Sequence, residues 1–197
     1  NIVSYNTVLK FQARKADWAG VARSLRGLKE EGMTPDAYTY TTILEAARID
    51  SVQQGVHMVL SSMREDGVKA NEVMVGKIID VMVNGGREEN IRATMALLEE
   101  LELSEDRIHL NEIIYTSCIV GIMRSTLDSA TKRDLAAQLL QRMRARNIGA
   151  NRVTYHVLIR GCFDGRAPAE AMSLWREQRS SGLSNKDTYY LIMRGLL

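Results

Sequence analysis

The sequence predicts an all-α solenoid, a stack of short helical hairpins, on three observations. Ser4-Tyr5-Asn6-Thr7 returns 35 residues later as Thr39-Tyr40-Thr41-Thr42, and again as Thr154-Tyr155-His156-Val157. Within each period apolar residues recur at i, i+3 and i+4, which is one face of a helix. No window shows the sustained two-residue alternation of a strand. A hairpin of this size cannot bury its own apolar face, so each must stack on its neighbours.

A second anchor marks the repeat ends, at Gly32, Gly67 and Gly182. The period divides the chain into units 2–36, 37–71, 72–106, 107–151 and 152–185, with 186–197 opening a sixth. In the first unit Tyr5, Val8 and Leu9 face the core from one helix; Asp17 opens a second, carrying Val21, Leu25 and Leu28. The second unit repeats this with Tyr40, Ile43 and Leu44, then Asp50 or Ser51 ahead of Val56, Leu60 and Met63. The third has Val75, Ile78 and Ile79, then Gly85-Gly86 ahead of Ile91, Met95 and Leu98. Here Val75 stands in the tyrosine place and Glu102 in that of the closing glycine. The fourth has Leu110, Ile113 and Ile114, then Ala136, Leu140 and Met143, with Leu110 and Asn147 in those two places. The fifth has Tyr155, Leu158 and Ile159, then Ala171 and Trp175 behind Pro168, at a first turn that tolerates proline. From Ser4 to Thr154 is four periods and ten residues more, and the polar stretch 124–132 takes the surplus. Its capping residues predict a longer first helix or an exposed loop between the helices of the fourth unit. Its removal is expected to leave stability and binding unchanged.

Composition bounds the function. At 197 residues, 45% hydrophobic and 25% charged, the chain is globular, and a formal charge of +2 requires any basic surface to be local. Cys118 and Cys162 are too few and too far apart for a disulfide framework or a cysteine zinc site, and a reducing compartment is expected. No apolar run reaches the ~18–20 residues that span a bilayer. Opening on Asn1 rather than Met, the sequence reads as a fragment or processed product whose targeting peptide is no longer present.

The 35-residue period, the opening Val/Ile-Ser/Thr-Tyr-Asn/Thr-Thr and the closing Gly-x-x-Pro-Asp together resemble the pentatricopeptide repeat family. Ile2 to Thr7 and Gly32-Met33-Thr34-Pro35-Asp36 match almost throughout. The tryptophan and Leu-Gly pattern of the tetratricopeptide repeat is absent. The resemblance implies a right-handed superhelix with the first helices lining its concave side. It also implies binding of single-stranded RNA, one base per repeat, in organellar RNA processing, stability or translation, mitochondrial or chloroplast. The other partners it implies are proteins of an organellar ribonucleoprotein.

In that family the residue after the tyrosine and the last residue of the repeat meet the base edge. Carried over, the pairs are Asn6 with Asp36, Thr41 with Asn71, Gly76 with Asp106, Asn111 with Asn151, and His156 with Asn185 or Lys186. The family's pairings imply uridine for the first, adenine for the second and a pyrimidine for the fourth. Gly76 has no side chain, so the third should read poorly. Val3, Tyr38, Val73, Ile108 and Val153, two residues before the tyrosine place, are the implied wedges between bases. The structural alternative for them is packing between repeats. Lys10, Arg14, Arg48, Lys77 and Arg160 are phosphate candidates by spacing.

Catalytic readings find little. His57, His109 and His156 lie too far apart for a helical metal pair, and no phosphate-binding glycine loop or nucleophile elbow is present. The expectation is a binding protein without cofactor or metal. The alternative is a protein-interaction scaffold, such as a subunit of an organellar ribosome or translation assembly.

Overall fold

The computed structural model describes residues 1–46, 52–103 and 110–197, and among them are eleven α-helices and no strand. First helices α1 (Ile2–Arg14), α3 (Ala37–Ala46), α5 (Glu72–Val83), α7 (Glu112–Arg124), α9 (Arg152–Asp164) and α11 (Lys186–Leu196) open the repeats. Second helices α2 (Trp18–Glu30), α4 (Val52–Glu65), α6 (Glu88–Leu103), α8 (Ser129–Ala145) and α10 (Pro168–Ser180) alternate with them. The fold class is the all-α solenoid. Asp50 and Ser51 lie outside the described residues.

Contacts group the chain into two compact bodies, Asn1–Gly85 with Ala93–His109 and Gly86–Arg92 with Leu110–Leu197. In the first body α3 packs between α1 and α5, and α2 and α4 back this layer. Leu9, Leu25, Tyr40, Ile43, Val56 and Ile78 fill its core, each buried side chain contributing about 1.5–3 kcal/mol. Trp18 lies across Gly55, where a Cβ would come within 2.4 Å of the indole, so only glycine admits the contact. In the second body α9 packs between α7 and α11, with α8 and α10 behind it. Tyr155, Ile159, Ala171 and Ile192 form one core cluster, and Tyr115, Ile119 and Leu139 are buried with them in this body.

The second helices α2, α4, α8 and α10 close on a left-handed residue. Gly32, Gly67 and Gly182 have φ of 75°, 65° and 69°, and Asn147 takes the same turn at 57°. The N–H of the following residue reaches back over that turn, Met33 to the carbonyl of Leu28 and Ile148 to that of Met143. Glu102 does not close a helix, because α6 continues through it to Leu103.

The fourth repeat departs from expectation. Its first helix is not lengthened, since α7 has 13 residues like α1 and α9. The second helix takes the added residues instead, with 17 in α8 against 13 in α2 and α10. The linking loop is not simply exposed, for Ser125 and Leu127 are buried and the Thr126 N–H donates to the Gly86 carbonyl at 2.9 Å. Asp128 caps α8 through the N–H groups of Ala130 and Thr131. The added turn is a brace: the Arg133 guanidinium donates to the Gly165 carbonyl at 3.0 Å, at the end of α9. These partners replace the expectation of an inert insertion.

Two stability measurements follow by chemical denaturation. Gly67→Ala, which places a Cβ on a left-handed residue, is expected to lose about 1–2 kcal/mol, whereas Asn147→Gly should be neutral or gain up to about 1 kcal/mol. Arg133→Ala should cost about 1 kcal/mol through the loss of the bond to Gly165, with an unchanged midpoint restoring the inert reading of the insertion.

Candidate nucleic-acid interface

Each described first helix begins on a side-chain cap. The Oδ1 of Asn1 accepts the Ser4 N–H at 3.1 Å, that of Asp36 the Thr39 N–H at 2.8 Å, and that of Asn71 the Met74 N–H at 2.9 Å. Asn111 accepts from Ile113 and Ile114 at 3.1 Å, Asn151 from Thr154 at 3.0 Å, and Asn185 from Thr188 at 3.0 Å. An Asn or Asp there relieves backbone donors that have no partner within the helix. The caps stand 35, 35, 40, 40 and 34 residues apart, so the ten surplus residues are shared by the third and fourth repeats.

Positions two, five and nine after each cap share one helix face. At the second stand Val3, Tyr38, Val73 and Val153, exposed by 68, 69, 72 and 53%. That exposure weighs against packing between repeats for them. Ile108 lies outside the described residues; the corresponding place in α7 belongs to Ile113, 64% exposed.

The same correction moves the fourth polar pair. Asn111 does not follow a buried tyrosine place on a helix; it is the cap of α7, and Leu110 lies before that helix. The residue buried four places after the cap is Tyr115, counterpart of Tyr40 and Tyr155. The fifth place is therefore Thr116, in series with Asn6, Thr41, Gly76 and His156. Asp106 lies outside the described residues, and the cap that follows Gly76 is Asn111. Asn185, not Lys186, is the cap after His156. A signal for this frame was present, since Asn71-Glu72-Val73-Met74-Val75 returns as Asn111-Glu112-Ile113-Ile114-Tyr115.

Capping decides what each cap presents outward. With Oδ1 committed to backbone, Asn71 and Asn151 keep a donor, the Nδ2 amide, beyond the capping bond, while Asp36 keeps an acceptor, its second carboxylate oxygen. Asn185 differs, because its Nδ2 donates to Asp187 Oδ2 at 3.2 Å. Among the helix partners, the Asn6 Oδ1 is buried with no hydrogen-bond partner. The Thr41 hydroxyl donates to the Ala37 carbonyl at 2.7 Å, leaving its oxygen to accept. Thr116 shares a 2.8 Å hydroxyl bond with buried Thr154. A Cβ on Gly76 would meet nothing within 4 Å, so that place is open.

Of the expected cations, Lys10 and Arg14 are exposed and Arg48 lies outside the described residues. Lys77 pairs with Glu45 at 3.0 Å, and the hydrogen bond and charge of that carboxylate raise the lysine above its usual range. Arg160 has Asp164 at 3.9 Å. The ninth place reads Lys10, Glu45 and Asp80 in the first body and Val120, Arg160 and Arg194 in the second, so acids interrupt it only in the first. Behind the face, the Tyr5 hydroxyl donates to Glu31 at 2.8 Å and the Tyr40 hydroxyl to Asp66. Burial and that carboxylate hold Tyr40 protonated.

Burial, then Glu170, pushes the Cys162 thiol up to about 11, so it is no nucleophile at neutral pH. Among the described residues no three His, Cys, Asp or Glu side chains are placed to hold a metal ion, and no helix is long and apolar enough to cross a membrane.

Residues 23–86 match the family model described as the pentatricopeptide repeat domain. Two Arabidopsis thaliana proteins named as pentatricopeptide repeat-containing, one of them chloroplastic, are each 21% identical, over 90% and 79% of this chain. The chain spans about a quarter of the length of these relatives, 22% and 26%. Among solved structures, the maize pentatricopeptide repeat protein PPR10 superposes with a TM-score of 0.73 at 19% identity, over 99% of this chain and 27% of that one. PPR10 in complex with an 18-nucleotide psaJ RNA element gives 0.66 over the same shares. The corresponding domain of Arabidopsis protein-only RNase P 1, in complex with tRNA, gives 0.64 at 15% identity, over 95% and 94%.

The double duty of the caps has a stability signature. Asn151→Ala is expected to cost about 1 kcal/mol, whereas Asn151→Asp, which retains the capping oxygen, should stay within a few tenths. Equal losses in thermal denaturation would separate the cap from the fold.

Proposed function

We propose that this chain, which belongs to the pentatricopeptide repeat family, binds single-stranded RNA by stacking bases on its exposed apolar row and reading their edges with the polar pairs. The observation that carries the reading is that row: Val3, Tyr38, Val73, Ile113 and Val153 all face solvent, where they do nothing for the core. Base stacking on such side chains contributes of order 1–3 kcal/mol per base and tolerates any base. The neighbouring structures named as RNA complexes support it. The work is binding rather than catalysis, in organellar RNA processing, stability or translation, and the relative named chloroplastic supports the compartment.

Discrimination follows from what the capped side chains present. In the first repeat the Asp36 acceptor suits the ring N–H of uracil or guanine, and the Asn6 Nδ2 amide, rather than its buried Oδ1, donates to the adjoining carbonyl oxygen. In the second, the Thr41 oxygen accepts an exocyclic amine and Asn71 donates to a ring nitrogen, a pattern met by adenine and cytosine. The family's pairing selects uridine for the first and adenine for the second. Thr116 with Asn151 repeats the second pair, so the fourth repeat reads adenine rather than a pyrimidine. Gly76 leaves the third base unread, and the fifth is weak because Asn185 holds Asp187.

Two variants separate stacking from reading in fluorescence titrations with a U-A-containing oligonucleotide. Tyr38→Ala should weaken all sequences alike, by about fivefold or more. Asn6→Thr with Asp36→Asn, which copies the second pair and keeps the cap, should move the first preference from U to A. A double variant that loses affinity with its preference unmoved would reject edge reading and favour the scaffold.

A further inference from the structure

Resting on the RNA reading above, we infer a second RNA contact in the second body: the hairpin end where α8 and α10 finish and α9 and α11 start holds the phosphate backbone of nucleotides flanking the read bases. The net charge of +2 conceals an asymmetry. Gly86–Arg92 with Leu110–Leu197 holds 15 Lys and Arg against nine Asp and Glu, whereas Asn1–Gly85 with Ala93–His109 holds 11 against 15. At the named end of the second body stand Arg144, Arg146, Arg152, Arg176, Arg179 and Lys186, all exposed. The same end of the first body mixes Glu30, Glu31, Glu65, Asp66, Glu99 and Glu100 with Lys29, Arg64 and Lys69, and Lys29 is paired with Asp66.

The basic end is fixed in place rather than loosely solvated. Arg144 grips Glu177 with contacts of 2.6 and 2.5 Å, tying α8 to α10. The Arg152 Nε donates to the Leu183 carbonyl at 3.3 Å, and the Arg179 guanidinium lies 5.8 Å from the Trp175 ring. Cations at the ends of α8 and α10 complement the helix dipoles, so folding alone accounts for them. The dipole does not account for Arg152 and Lys186, the first residues of α9 and α11, where it disfavours a cation, although Arg152 also holds the Leu183 carbonyl and Lys186 lies 5.9 Å from the Tyr190 ring. The same place holds Glu72 in α5 and Glu112 in α7, the charge folding prefers. Arg152 also adjoins the exposed Val153, and Lys186 follows the cap Asn185, so the basic end is continuous with the reading face. Guanidinium and ammonium groups beside a base-stacking row suit RNA phosphate.

The test compares a five-nucleotide oligonucleotide carrying U and A at the first two places with the same sequence extended by uncoupled flanking nucleotides, across a salt series. Wild type should gain roughly tenfold from the flanks at low salt, with a steeper salt slope, whatever the flanking sequence. Arg152→Glu with Lys186→Glu places the dipole-preferred charge at both helix starts but removes the Arg152 bond to the Leu183 carbonyl, so the two effects offset and the thermal midpoint should stay close to wild type. The variant should lose most of the flank gain and about 1.4 or more of the salt slope, with base preference at the first two places kept. Arg152→Gln with Lys186→Gln should lie between. A flank gain and slope equal to wild type in both variants overturn the inference while leaving base reading intact. A flank gain lost in the variants, without base preference in wild type, sustains this contact and rejects the reading instead.

Discussion

The frame of this molecule hangs on one short interaction, a side-chain carbonyl or carboxylate oxygen accepting the backbone N–H near the start of each first helix. Asn1, Asp36, Asn71, Asn111, Asn151 and Asn185 all make it. Once the cap is set, helix geometry dictates the rest. The fourth residue after it turns into the core, as Tyr40, Val75, Tyr115 and Tyr155 do, while the second turns out to solvent. The cap therefore fixes at one stroke which side chain is buried and which is exposed. It also fixes what the cap itself offers, because the committed oxygen leaves an amide on Asn and an oxygen on Asp.

Quality varies along the array for reasons that can be read residue by residue. The first two repeats carry polar residues at the cap and the fifth place, with Val3 and Tyr38 exposed at the second. The third has Gly76 at the fifth place and Asp80 at the ninth. In the second body Arg160 and Arg194 are exposed at the ninth place, Thr116 is buried at the fifth, and the hairpin end carries exposed cations. On the proposed reading, RNA is attracted chiefly by the second body, and the polar pairs of the first body and of Thr116 supply selectivity.

Much of this was legible in the sequence. The 35-residue period and the 3,4 spacing gave the hairpins, and Gly32, Gly67, Gly182 and Asn147 closed the helices where expected, in each case because left-handed geometry restricts the residue. The positions of Val3, Tyr38, Val73 and Val153 on the first helices were legible because the first, second and fifth repeats keep a clear Ser/Thr-Tyr signal and the third follows the second at one full period. The fourth repeat was misplaced because a fixed period was carried through the third, where five added residues had already broken it. Leu110 took the tyrosine place on that count, although Tyr115 and the Asn111-Glu112 start were the better physical signal. The role of 125–132 was hidden for another reason: Arg133 meets Gly165 and Thr126 meets Gly86 only in the folded chain, and neither partner is near in sequence.

The register of the caps is the central claim, and the fourth base tests it most directly. Four oligonucleotides identical except at the place facing Thr116 and Asn151 would be compared by competition titration with the unaltered protein. Adenine should bind tightest, ahead of uridine by about tenfold or more, as one lost or mismatched edge pair costs of order 1–3 kcal/mol. A preference for a pyrimidine, the outcome of pairing Asn111 with Asn151, or equal affinity for all four, would contradict the account.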